Sequence, residues 1–292
     1  MTPVAENSVA DRNTPALALP WISLAWFGAL LTVCYWPVLV QLVSQWNNDE
    51  DMGHGFFVPV LAAYIAWQSR EEFLATPAKR NWWGFALVVY AGIQLLLATM
   101  GAELFLARTA IVFSIIGATL FVNGTQRLRV FTFPLLLLFF MVPIPAIVYN
   151  RITFPLQLLA SRAAEFGLMT IGIPVLREGN VLELAGQKLS VVEACSGIRS
   201  LLTLSFLALI YGYFFEKKTW MRVLLFFATV PIAILANASR VTLTGILAEY
   251  KPELAHGFFH SASGWVIFMV ALVILAIFHQ LVGGATRMLH AR

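Results

Sequence analysis

Charged side chains are scarce in this sequence. Asp, Glu, Lys and Arg make up 12% of the 292 residues, whereas soluble domains usually contain about 25%. Hydrophobic residues make up 60%. So few charges cannot cover the surface of a soluble globule of this length, which excludes a soluble two-domain enzyme, and a chain this apolar is not disordered. The apolar residues also fall in long runs, which predict a polytopic membrane protein.

Cysteine is scarce as well. The only two, Cys34 and Cys195, are too few for a disulfide framework. Cys34 lies inside the first apolar run, where we expect it to face lipid or another helix. The net charge of +4 is best explained by basic loops in the cytoplasm, so we expect a lipid bilayer around the chain and no nucleic-acid partner. No cofactor is expected.

The apolar runs predict an all-α fold of about eight transmembrane helices. The spans are expected at about 21–43, 55–68, 82–99, 104–122, 131–148, 198–214, 221–246 and 262–282. They form a single membrane domain over 21–283, between a flexible tail of residues 1–20 and a short tail of 284–292. The span at 55–68 is short and is expected to be tilted. The span at 131–148 ends in Pro143-Ile144-Pro145, because proline closes or kinks a helix.

Lys and Arg residues follow every second span, which places those loops in the cytoplasm by the positive-inside rule. The loop of residues 47–51 contains no Lys or Arg and is expected outside. Both termini then lie in the cytoplasm. The basic residues that mark the inside are Arg70, Lys79, Arg80, Arg127, Arg129, Lys217, Lys218, Arg222, Arg287 and Arg292.

The segment 149–195 is the exception, because it is expected outside and yet contains four basic residues. Residues Ile152 to Ile173 resemble a span but carry Arg162 and Glu165, and they predict an interfacial helix with a partly apolar face. If this helix crossed the membrane, the basic loop 217–222 would lie outside. Further on, the apolar runs 181–184 and 189–192 flank a Gly-containing turn and predict a small extracytoplasmic hairpin that leads into Cys195.

Three reactive side chains fall at the outer ends of predicted spans. Cys195 precedes the sixth span, Arg240 lies near the outer end of the seventh, and His260 precedes the eighth. The predicted topology therefore brings a thiol, a guanidinium and an imidazole to a similar depth. It leaves their lateral distances open.

Each of these side chains suits a step of acyl transfer. A helix N-terminus and a cation such as Arg199 lower the pKa of a thiol and make Cys195 a candidate nucleophile. Arg240 is an ionisable residue in an apolar span and suits an oxyanion or a carboxylate. His260 can accept and donate a proton. A buried structural cysteine, a snorkelling arginine and a solvated interfacial histidine remain the alternatives.

Two further histidines lie near the predicted outer face. His256 comes four residues before His260, but no Glu stands between them in the metalloprotease pattern, so no metal site is expected. His54, in the run Asp51-Met52-Gly53-His54-Gly55, could orient a substrate or a catalytic residue, or could mark a simple helix-entry turn. His279 and His290 fall at the cytoplasmic end, away from these residues.

Four segments together resemble the exosortase/archaeosortase family of integral-membrane cysteine transpeptidases. They are Glu193-Ala194-Cys195-Ser196-Gly197-Ile198-Arg199-Ser200, Asn237-Ala238-Ser239-Arg240, His260-Ser261-Ala262-Ser263-Gly264-Trp265, and Gly53-His54-Gly55-Phe56-Phe57-Val58-Pro59. The resemblance covers about residues 45–282. One departure is Ser239, where a larger or apolar residue is expected.

The resemblance implies that Cys195 is the nucleophile, Arg240 the oxyanion or substrate-positioning residue, and His260 the acid/base. It also implies a bacterial inner-membrane enzyme whose protein substrates end in a short Pro-Glu-Pro-type motif, a transmembrane helix and a basic tail. The alternative is a non-catalytic assembly factor for exopolysaccharide or envelope export. A transporter is disfavoured because the ionisable residues gather at one end of the spans. We further expect supporting roles for Arg199, Ser196, Asn237, His54 and His256.

Overall fold

The structure is a computed structural model that describes residues 21–185, 188–191, 198–250 and 258–290. Helices dominate these ranges, and one small sheet interrupts them. The helices are α1 (Trp21–Asn48), a 3-10 helix (Glu50–Phe56), α2 (Phe57–Gln68), α3 (Arg70–Ala75), α4 (Trp82–Met100), α5 (Leu104–Val130), α6 (Thr132–Leu137), a second 3-10 helix (Leu138–Met141), α7 (Ala146–Thr170), α8 (Ile198–Phe215), α9 (Thr219–Tyr250) and α10 (Phe258–His290); the strands are β1 (Val175–Glu178), β2 (Val181–Leu184) and β3 (Lys188–Ser190).

Long apolar helices confirm that the chain is a multi-pass membrane protein. Within the described residues, five helices are long and apolar enough to cross a bilayer, and a sixth span results if one bent helix pair crosses as a unit. The five are Leu24–Asn48, Trp82–Met100, Leu104–Val130, Thr219–Glu249 and Gly264–Met288. The last predicted span ends at residue 282, whereas α10 continues to His290.

The count of eight spans is not confirmed, and three segments account for the difference. At a rise of about 1.5 Å per residue, the 12-residue α2 is about 18 Å long, short of a hydrocarbon core of about 30 Å. The predicted fifth span breaks near Pro143 and Pro145, where Thr132–Met141 meets Ala146–Thr170 at a bend of 86°. The α8 segment Arg199–Phe215 also belongs to the shorter apolar helices.

The chain divides into two compact units. The first contains the residues up to Leu42 and Pro59–Phe139. Within it, the Tyr35 hydroxyl lies 2.7 Å from the Ser114 hydroxyl, which ties α1 to α5. Cys34 is exposed on α1, as expected for a residue that faces lipid.

The second unit contains Val43–Val58 and the chain from Phe140 onward. In it α9 packs against α7, α8 and α10. Small residues allow the close approach of α7 and α9, because a methyl group on Gly167 would lie 3.1 Å from Thr242 Cγ2 and one on Gly245 would lie 2.9 Å from Leu168 Cδ1. The predicted single domain over 21–283 stays a prediction.

A three-stranded antiparallel sheet follows α7. The two strands on either side of the predicted turn are paired with Val181 opposite Ser190, and β1 adds a third strand with Val175 opposite Leu184. Sequence reading missed β1, because its four residues carry no alternation of apolar and polar side chains. The extracytoplasmic position of this sheet stays a prediction.

The sheet lies against the helix predicted to be interfacial. That helix begins at Ala146 instead of Ile152 and buries a stripe with helical spacing. The Ser161 hydroxyl of this stripe donates to the Gly179 carbonyl at 3.1 Å, and Arg177 pairs with Glu165 at 2.7 Å. The buried stripe consists of Thr153, Gln157, Ala160, Ser161, Ala164 and Leu168.

Candidate active site

Arg240 lies on α9 and its guanidinium rests against the backbone of α10. A methyl group placed on the Cα of Gly264 would lie 3.1 Å from Arg240 Cζ and Nη2. Glycine at 264 therefore leaves the space that the guanidinium occupies. Gly264 comes four residues after His260, and residues four apart lie on the same face of a helix. The guanidinium thus lies within about one helical turn of the position of His260 on α10.

Asn237 lies three residues before Arg240 and is buried, with 5% of its surface exposed. Residues three apart share a helix face, so Asn237 and Arg240 lie on the same side of α9. Ser239 is exposed, and its hydroxyl donates to the Leu235 carbonyl at 2.9 Å. The departure from the family pattern at Ser239 therefore lies away from the face that carries Arg240.

The first 3-10 helix is capped by Asp49 and packs closely against Trp46. The Asp49 carboxylate caps it by accepting from the Asp51 N–H at 3.0 Å. The Trp46 indole N–H donates to the Met141 carbonyl at 2.9 Å. A methyl group on Gly55 would lie only 2.5 Å from the Trp46 ring, so this position requires glycine for the approach of the indole.

His54 lies on this 3-10 helix and is buried, with 7% of its surface exposed. Its ring contacts Phe206 at 6.0 Å between centroids. Burial lowers the pKa of His54, while the backbone carbonyls of Phe140 and Asp51 and the Asp51 charge act in the opposite direction. Within the described part of the chain, its Nδ1 atom has no aligned hydrogen-bond partner. Burial of His54 therefore favours the neutral form of its imidazole.

The carboxylate of Asp51 joins three elements of the second unit. Its Oδ1 atom accepts from Arg199 Nε at 2.8 Å, and its Oδ2 atom accepts from the Tyr149 hydroxyl at 2.6 Å. These contacts connect the 3-10 helix to α7 and to the first turn of α8. Because residues three apart are eclipsed on a 3-10 helix, Asp51 and His54 share one side of it.

The predicted site residues fall into four groups. Arg240 and Asn237 lie together on α9, and Arg199 and His54 lie with Asp51. His260 lies in the first turn of α10, and its side chain is outside the described part of the structure. Cys195, Ser196 and His256 lie outside the described residues.

The sequence assigns no site role to Asp51 or Tyr149, and it marks Gly264 only as part of the family segment that begins at His260. Asp51 stands out in the sequence only as part of an outer loop without basic residues and of the run that contains His54. Its spacing of three from His54 was a usable signal once a 3-10 helix was considered. Tyr149 carries no local signal, since it reaches Asp51 from a distant part of the chain.

These groups suit anion binding and proton transfer. A guanidinium is charged at all ordinary pH values and binds an oxyanion or carboxylate through two parallel donors. A buried neutral imidazole can accept a proton. Among the described residues, no three His, Cys, Asp or Glu side chains are arranged to hold a metal ion.

Comparison with known proteins identifies the family. Residues 46–277 match the family model described as "Transmembrane exosortase (Exosortase_EpsH)". No curated protein and no solved structure matches the chain. The matched range covers most of the 292 residues and includes Cys195, Arg240 and His260. The chain therefore belongs to the transmembrane exosortase family.

Proposed function

We propose that this protein is an integral-membrane cysteine endopeptidase and transpeptidase that cleaves the C-terminal sorting signal of exported proteins. The observation that carries the proposal is the contact of Arg240 with Gly264, four residues after His260. It supports a site in which the guanidinium of α9 and the imidazole of α10 act on one substrate group. Membership of the exosortase family supports Cys195 as the third member.

The proposed reaction is acyl transfer through a thioester. The Cys195 thiolate attacks a backbone carbonyl carbon of the signal, and the negative charge that develops on the carbonyl oxygen is stabilised by Arg240. His260 donates a proton to the departing amide nitrogen as the C–N bond breaks. The N-terminal part of the substrate then remains as an acyl thioester on Cys195. An amine or water attacks the thioester, His260 accepts its proton, and the thiolate is released.

Arg240 suits this task because its position is restricted. One face of its guanidinium lies against α10, so the planar donor group loses little further freedom when it binds an oxyanion. A restricted donor stabilises the transition state more than a mobile one, because it needs no reorganisation during the reaction. The supporting positions Asn237, Arg199, Ser196, His54 and His256 belong to the same proposal.

We further infer that the site faces the outside of a bacterial inner membrane. The loop before the first 3-10 helix contains no Lys or Arg, whereas the segment after α8 contains Lys217 and Lys218. Under the positive-inside rule, this asymmetry places the beginning of α8 outside and its end in the cytoplasm. The proposal also includes a cytoplasmic position for both chain termini, which requires an even number of membrane crossings.

The experiment that tests the function is co-expression with tailed substrate proteins. A substrate with a Pro-Glu-Pro-type motif, a transmembrane helix and a basic tail should be shortened by the wild type and left intact by Cys195→Ala. Cys34→Ala is the matched control, because it removes the chain's other thiol from an exposed position on α1, and should process normally. A thioester adduct that depends on Cys195 would establish the intermediate. Processing by Cys195→Ala at the wild-type rate would disprove the proposal and favour the non-catalytic assembly factor.

A further inference from the structure

Arg199 occupies an unfavourable position in its own helix. It is the second residue of α8, where the helix dipole is positive and a cation is disfavoured. The Asp51 carboxylate supplies the opposite charge at this helix end, with Oδ1 at 2.8 Å from Arg199 Nε. The first turn of α8 is therefore paired with a carboxylate from the 3-10 helix.

The carboxylate is itself held from a second side. The Tyr149 hydroxyl donates to Asp51 Oδ2 at 2.6 Å, so the two oxygens of Asp51 bind α7 and α8 at once. The Asp51 side chain is 17% exposed and that of Arg199 is 42% exposed. An ion pair with one partner shielded and held by a further hydrogen bond restrains geometry more than a fully exposed pair does.

We propose that Asp51 is a positioning residue for the nucleophile, acting through Arg199. Arg199 comes four residues after Cys195 in the chain, so a restraint on the first turn of α8 acts close in sequence to the proposed nucleophile. This inference rests on the proposed function, since it assigns Asp51 to the same reaction. It adds an acidic residue and Tyr149 to a site otherwise described by Cys, Arg and His.

A positioning role and a simple counter-charge role predict opposite effects on the thiol. If Asp51 only neutralises Arg199, its removal leaves a stronger cation near the thiol and lowers the pKa of Cys195. If Asp51 holds Arg199 in place, its removal lets Arg199 move into solvent and raises that pKa, as removal of Arg199 does. The direction of the change therefore separates the two roles.

The test measures alkylation of Cys195 against pH. In a Cys34→Ala background Cys195 is the only thiol, and a membrane-impermeant maleimide reports its thiolate fraction. We expect Arg199→Gln and Asp51→Asn each to move the midpoint upward by roughly 0.5–1 pH unit. Because Asp51 acts through Arg199, the double variant should match Arg199→Gln alone. A downward shift in Asp51→Asn, or additive shifts in the double variant, would overturn the proposal.

Further variants keep the test decisive if Asp51→Asn does not fold. Asp51→Glu retains the carboxylate and should restore the wild-type midpoint. Tyr149→Phe loses only the hydroxyl bond and should give a smaller upward shift that disappears in the Arg199→Gln background. Glu165→Gln is the matched control, because it breaks another ion pair of the same unit, between α7 and β1, and should leave the midpoint unchanged. A Tyr149→Phe shift of equal size in both backgrounds would contradict the role.

Substrate cleavage by the same variants is measured independently of the alkylation of Cys195. Asp51→Asn should slow substrate cleavage by about tenfold or more and Asp51→Glu by about threefold or less. If the wild type cleaves no tailed substrate, the proposed function fails, while the alkylation series still decides whether Asp51 acts through Arg199. If the wild type cleaves and Asp51→Asn cleaves equally fast, the positioning role fails and the function stands.

Discussion

The Asp51 carboxylate accepts a hydrogen bond from Arg199 Nε at 2.8 Å, across 148 positions of the chain. The pair joins the 3-10 helix that contains His54 to the helix that follows Cys195. The 3-10 helix in which the early family segment begins is therefore in direct contact with Arg199 of the family segment that contains Cys195. This contact brings the element that contains His54 to the beginning of α8.

Gly264→Ala tests whether the contact with Gly264 positions the guanidinium of Arg240. A methyl group at this position would lie 3.1 Å from Arg240 Cζ, so the guanidinium must shift by a few tenths of an ångström. We expect substrate processing to fall by about tenfold, because small displacements of an oxyanion donor are costly. The protein should remain folded, since the displaced group is the end of a flexible side chain.

Gly284→Ala is the control for that substitution. It lies on the same helix, and a methyl group there would meet nothing within 4 Å. It should process substrate at the wild-type rate. Equal rates for Gly264→Ala and wild type would show that the contact with Gly264 does not position Arg240 for the reaction.

His54 predicts a pH dependence of stability. Burial lowers the pKa of His54 in the folded protein below its ordinary value of 6.5, so below that pH the unfolded chain binds more protons than the folded one. The free energy of unfolding should therefore fall as the pH drops from about 6.5 towards the pKa of His54 in the folded protein. Above about pH 6.5 it should be constant. Thermal unfolding of detergent-solubilised protein between pH 5 and pH 8 measures this slope. His54→Gln should flatten it, and an unchanged slope would contradict the assignment.

His279, Tyr211 and Glu216 form a polar cluster in the second unit of the chain. The His279 ring accepts or donates at Nδ1 to the Tyr211 hydroxyl at 2.9 Å, and its Nε2 lies 3.1 Å from Glu216 Oε2. The backbone N–H of Lys218, followed by His279, lowers the pKa of Glu216. The contacts of His279 connect the end of α8 to α10.

His279→Phe should therefore destabilise the protein without a change in chemistry. Loss of this half-buried polar partner costs about 1 kcal/mol, because Glu216 and Tyr211 lose hydrogen bonds that solvent only partly replaces. Thermal unfolding should shift downward, while the processing rate at a temperature below the transition should stay near wild type. A large loss of processing by folded His279→Phe would show that this cluster takes part in the reaction.

The membrane class was predictable because it depends on composition and on long apolar runs. The number of spans was not, since α2, α8 and the bent segment around Pro143 differ from the long apolar helices in length or continuity and not in hydropathy. Arg240 was predictable as an ionisable residue in an apolar helix. Tyr149 was not, because its partner Asp51 lies far away in the sequence and only the fold brings them together.

The last prediction concerns the choice of arginine at position 240. Lysine would keep the charge but would lose the planar group that lies against Gly264 and the pair of parallel donors. Arg240→Lys should therefore lower the processing rate by about 10²–10³, close to the effect of removing an oxyanion donor outright. Arg222→Lys is the control on the same helix, because Arg222 bonds to the Glu216 carbonyl, a single acceptor that an ammonium group also satisfies. Retention of more than about a third of the rate by Arg240→Lys would mean that the charge of Arg240 suffices and that its geometry does not matter.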